Sequence, residues 1–144
     1  MGHVIYGLMV SVSALSVNIF AAGRPEPTFS QLYEACAKKA GAVDSLMRDC
    51  LGDEMARQDA ELNRVYKLLM PKLNRGNKAN LLKAERAWIV YRDAHCAVEE
   101  PAERAGTLDF VIADQCQVRQ TIYRLEDLKQ RLEWVKQYPE DDDE

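Results

Sequence analysis

Between Val43 and Leu69 the apolar residues Val43, Leu46, Met47, Cys50, Leu51, Met55, Leu62, Val65, Tyr66 and Leu69 recur mostly at steps of three and four. That spacing puts them on one stripe of an α-helix. A helix with one apolar stripe needs neighbours to cover it. Pro71 ends or kinks the helix, because proline lacks the N–H and clashes with the previous turn. Asn74-Arg75-Gly76-Asn77 then reads as a turn.

Three further helical segments surround this one. The first begins at Thr28, with Gln31 completing a capping-box pattern, and passes Leu32 and Cys36 to a stop at Gly41. The third takes Asn77 as its N-cap and carries Leu81, Leu82, Ala84, Trp88, Ile89 and Tyr91 to about Cys96. Pro101, Gly106 and three glutamates mark Ala97 to Thr107 as a loop. The fourth runs from about Leu108 to Gln137, with Val111, Cys116, Val118, Ile122, Leu125, Leu128, Leu132 and Val135 on its buried face. Short connections favour antiparallel neighbours. With 144 residues and 47% apolar content the chain suits one domain. The expected fold is all-α: a small antiparallel bundle of three to four helices stapled by two disulfides.

The staples follow from the cysteines and from the N-terminus. No charge interrupts Val4 to Ala22; small residues follow, and then Arg24-Pro25-Glu26-Pro27. This resembles a secretory signal cleaved near Ala21–Gly23, with an uncleaved membrane anchor as the alternative. The division is then 1–23 signal peptide, 24–138 helical domain and 139–144 acidic, disordered tail. Cys36, Cys50, Cys96 and Cys116 all fall in the exported part. Of three possible connectivities, Cys36–Cys50 and Cys96–Cys116 are favoured because each closes a short local loop. A zinc site of four cysteines is the rival, weakened by the absence of any C-x-x-C pair.

Charge and motifs exclude several functions. The net charge is −4, and the last five residues are all acidic, so the rest of the chain is near neutral. That leaves no basic footprint for nucleic acid. His3 lies in the signal, so His95 is the remaining general base of the common kind. Asp93-x-His95 has no nucleophile set beside it, and no metalloprotease, serine-hydrolase or phosphate-loop pattern occurs. No enzyme, no metal and no cofactor are expected.

Glu85, Trp88 and Arg92 share one face of the third helix. Buried charges need partners, so Arg92 is expected to be paired and to pack on Trp88. Glu85, Asp59 and Asn63 are its candidate partners, and Asp93 adjoins it. The arrangement reads as a polar network fixing helix register, with a ligand pocket as the other possibility.

These residues carry a resemblance. Cys50, Asp59-x-x-Leu62-Asn63-x-x-Tyr66, Ala84-Glu85-Arg86-Ala87-Trp88-x-x-Tyr91-Arg92-Asp93-x-x-Cys96, and Cys116 with Thr121-x-x-Arg124-Leu125 resemble the pattern of the LprI-type lysozyme-inhibitor family. The likeness spans Cys36 to Leu132. It departs at Glu85, where the family usually has Gln. The resemblance implies a small periplasmic or secreted helical domain with two disulfides and, in the member that names the family, inhibition of lysozyme.

Two functions from different classes follow. One is a protein inhibitor of lysozyme or a related cell-wall hydrolase, with Glu99, Glu100 and Glu103 on a disulfide-held loop facing a cationic enzyme. The other is an envelope adaptor or immunity-type protein with a different partner, using Trp134 and Tyr138 as anchors. Either would be a soluble protein binder once the signal is removed.

Overall fold

A computed structural model of the chain describes residues 24–99 and 106–141. Four helices follow one another: α1 (Gln31–Ala40), α2 (Asp44–Leu69), α3 (Arg75–Ala97) and α4 (Thr107–Gln137), with a 3-10 turn (Met70–Lys72) between α2 and α3. Among the described residues there is no strand. The expected signal segment, 1–23, lies outside them.

Each helix end has a chemical cause. Ser30, not Thr28, caps α1: its Oγ accepts the Tyr33 N–H at 3.1 Å. Gly41 stops that helix at φ 58°, a left-handed conformation that costs glycine nothing. Pro71 turns the end of α2 into the 3-10 turn. Asn74, not Asn77, caps α3, its side-chain oxygen accepting the Asn77 N–H at 2.8 Å. At α4 the Asp109 carboxylate accepts the Gly106 N–H at 2.8 Å, satisfying one of the unpaired donors there.

Cross-helix pairs fix the topology. Cys36–Cys50 and Ser30–Glu54 show α1 antiparallel to α2. Cys96–Cys116 and Glu85–Arg124 show α3 antiparallel to α4. Arg48–Asp114 and Glu61–Lys129 show α2 and α4 running in parallel, side by side. Both disulfides are those favoured by loop length, and with all four sulfurs bonded the zinc alternative has no thiolate ligands. Closing loops of 14 and 20 residues stabilises the fold by about 3 kcal/mol each in the chain-entropy picture.

The α2–α4 pair builds two cores end to end. One gathers Tyr33, Ala40, Leu51, Val118 and Ile122 beneath α1. The other gathers Leu62, Val65, Leu69, Leu125, Leu128 and Leu132, with Tyr66, Leu81 and Trp88 packed against it. The sequence stripes of α2 and α4 match these cores except at the start of α2, where Val43 and Leu46 are exposed. The stripe of α3 departs further. Cys96 is its sole buried residue, while Leu82, Ile89 and Tyr91 face outward. Helix α3 lies along the bundle as a covering element, held by a few points.

The chain before α1 is also tied down. Arg24 donates to the Tyr123 carbonyl at 2.9 Å, stacks over the Tyr123 ring at 4.5 Å, and pairs with Asp127. At the other end Glu140 folds back. Its carboxylate accepts the Asn74 N–H at 2.9 Å and the Asn77 side-chain amide at 2.8 Å, and pairs with Arg131. Glu140 is thus part of the bundle and not of a free tail; residues 142–144 lie outside the described ones. Burial pushes the Glu140 carboxyl up, but Asn77, Asn74 and Arg131 together hold it below the usual carboxylate value.

Candidate functional site

The residues singled out in the sequence meet between α2 and α3. Helix α3 packs on this side only through partly buried residues such as Leu81 and Trp88, and a cleft of about 240 Å³ lies between it and α2. Leu62 and Tyr66 of α2 and Trp88 and Ile89 of α3 form its apolar walls. Asp59 and Asn63 from one side and Glu85 and Arg92 from the other are its polar lining.

The pairing differs from the expected one in two of its links. Arg92 does stack on Trp88, 5.2 Å from the ring centre. Its ion partner, however, is its neighbour Asp93, with Oδ1 accepting from Nε at 2.9 Å and from Nη2 at 2.8 Å. Glu85 turns instead to Arg124 of α4. One oxygen, Oε1, accepts both Nε at 3.0 Å and Nη2 at 2.6 Å. The two side chains are 12% and 17% exposed, so this is a largely buried pair linking α3 to α4. Asp59 and Asn63 bond each other: the Asn63 amide donates to the Asp59 carboxylate at 3.0 Å and to the Asp59 carbonyl at 2.8 Å. Asp93 and His95 are exposed, and His95 stacks on Tyr91 at 5.3 Å.

Glu99 stands two residues beyond the end of α3. Its N–H donates to the Cys96 carbonyl at 3.1 Å, and the residue is exposed. Glu100 and Glu103 lie outside the described residues. Trp134 and Tyr138 form an exposed ring pair at 4.5 Å. Among the described residues no group of His, Cys, Asp and Glu is placed to hold a metal ion. None of the described helices is long and apolar enough to cross a membrane.

One polar centre escaped the sequence reading. Glu54 is fully buried. Its Oε1 accepts the Ser30 N–H at 2.9 Å and the Gln58 amide at 2.8 Å. Its Oε2 accepts the Ser30 hydroxyl at 2.6 Å and Arg57 Nε at 3.0 Å. Burial alone would raise its pKa, yet these donors outweigh burial and hold it below the ordinary value. The signal was present: Glu54 stands three residues after Leu51 and four after Cys50, on the apolar stripe itself.

Two disulfides, four helices and a surface cleft with a polar lining define a small stapled helical domain. Residues 36–128 match the family described as Lysozyme inhibitor LprI, and the chain belongs to that family. It is also 28% identical over 125 residues to uncharacterized protein R02472 of Rhizobium meliloti (strain 1021), across 78% of this chain and 84% of that one. No solved structure matches the chain.

Proposed function

We propose that the chain is an exported, non-catalytic inhibitor that binds a lysozyme or a related peptidoglycan hydrolase. The family match over 36–128 is the observation that carries this reading. The geometry supports it. The Cys96–Cys116 bond, 5.6 Å between its Cα atoms, joins the end of α3, which Glu99 follows, to α4. Glu99 is exposed, and Glu100 and Glu103 follow in sequence. An acidic loop speeds encounter with a cationic enzyme and suits a cleft that works on sugar. Export is supported by the uncharged segment 4–22 and by two disulfides, which persist outside the reducing cytoplasm.

The test is the clearing of a cell-wall suspension by a cationic animal lysozyme, with the oxidised protein titrated in. Inhibition saturating near one to one is expected; unchanged lysis at large molar excess ends this reading for that enzyme. Replacing Glu99, Glu100 and Glu103 by Gln together should slow association, with the larger effect at low salt.

The exposed Trp134–Tyr138 pair favours a second reading, an envelope adaptor or immunity-type protein with another partner. Capture of a single envelope protein, lost on Trp134→Ala and with lysozyme ignored, would select it.

A further inference from the structure

The α2–α3 cleft has one charge left over. Arg124 neutralises Glu85, and Asp93 neutralises Arg92. Asp59 has only the Asn63 amide, and among the described residues no cation pairs with it. It is exposed at the cleft, beside walls that include Leu62, Tyr66 and Trp88. A space of about 240 Å³ is below the usual range for a whole small-molecule ligand, about 300–1,000 Å³. It suits one extended side chain.

The chemistry of the lining selects which side chain. A carboxylate would meet Asp59 and find Arg92 already engaged. A purely apolar group would cover Asp59 and give it no partner. A lysine or arginine satisfies both parts. Its methylenes suit Leu62 and Tyr66, and its cationic end suits Asp59 on the α2 side of the cleft, across from the α3 side where Arg92 already occupies Trp88.

We propose that this cleft receives a lysine or arginine side chain of the protein partner, with the cationic end paired to Asp59. The proposal rests on the protein-binding role above and assigns that partner a basic anchor residue. It places one contact on the α2–α3 face, separate from the Glu99 loop. Held by the two helices, the cleft is formed before the partner arrives, which reduces the ordering cost of the contact.

The experiment uses the oxidised mature chain, isotope-labelled, with acetyl-arginine amide as the probe and the uncharged acetyl-citrulline amide as its control. The Asn63 side-chain amide and the Trp88 indole N–H report binding by NMR. Saturable shifts of both with the arginine probe are expected, with citrulline roughly tenfold weaker and the difference abolished in Asp59→Asn. Unmoved resonances, or equal affinity for the two probes, would overturn the proposal. Asp59→Lys, verified by an unchanged melting curve, is then assayed against lysozyme. Inhibition that survives this charge reversal would overturn the cleft's part in the interface. Arginine-probe binding without any lysozyme inhibition would sustain the cleft and sink the choice of lysozyme as partner.

Discussion

Replacing Glu54 by Gln changes one atom in a fully buried polar centre. The wild-type carboxylate accepts four hydrogen bonds, two per oxygen, and they join Ser30 at the start of α1 to Arg57 and Gln58 on α2. Glutamine keeps one acceptor oxygen, which can retain the Ser30 N–H and the Gln58 amide. Its new NH2 faces the Arg57 N–H, donor against donor, and the Ser30 hydroxyl, whose proton loses its acceptor. Two charge-assisted bonds are therefore disturbed, at about 1.5–3 kcal/mol each with partial relaxation, so a loss of about 3 kcal/mol is expected. For a domain of this size that lowers Tm by roughly 10 °C. The assay is thermal unfolding of the oxidised protein followed by circular dichroism, at neutral and at acid pH. The folded-state pKa of Glu54 is depressed, so its contribution is present above the unfolded carboxylate value and is lost as pH falls through the folded one. The gap between wild type and Glu54→Gln should accordingly narrow below about pH 4. A neutral-pH difference under about 0.5 kcal/mol, the size of an ordinary surface change, would refute the reasoning. So would a gap that does not change with pH.

Other perturbations separate the remaining contacts. Glu85→Gln should cost no more than about 1 kcal/mol, because Arg124 uses a single oxygen that glutamine retains; Glu85→Ala, which leaves a largely buried arginine unpaired, should cost about 3 kcal/mol by denaturant unfolding. Cys96→Ala with Cys116→Ala should lower stability by about 3 kcal/mol, and hydrogen exchange should show faster opening of α3 than of α2 or α4. Glu140→Ala removes acceptors for Asn74 and Asn77 and should cost about 1 kcal/mol, the usual size of a lost cap. Leu69→Ala, at a side chain with no exposure, should cost about 2–5 kcal/mol.

Much of this architecture was legible in the residues. The period of α4 identified Cys116, Val118, Ile122, Leu125, Leu128, Leu132 and Val135 as buried, because a central helix covered along its length makes pattern and burial coincide. The same logic overreached on α3: Leu82 and Ile89 follow a helical period, but α3 is a covering helix with one buried residue. The caps slipped for a local reason. Thr28 and Ser30, like Asn74 and Asn77, are both residue types that cap; the backbone N–H groups of Ser30 and Asn74 also donate to Glu54 and Glu140, contacts from far along the chain that local spacing does not show. The cleft residues were found as a set, since one helix face is readable from spacing. Their partners were not, because Arg124 reaches Glu85 from another helix and the face of α3 alone cannot show it. Glu54 was hidden by its charged neighbours Asp53 and Arg57, which make the stretch look solvated.

The family match carries the functional proposal, and its geometric support is the Cys96–Cys116 bond that holds α3, with Glu99 and one wall of the cleft, to α4. The direct measurement compares lysozyme-driven lysis in the presence of oxidised protein and of the same protein reduced and alkylated. Suppression by the oxidised form, with at least tenfold weaker action of the alkylated one, is the expected result. Equal potency of the two, or no suppression by either, would contradict it.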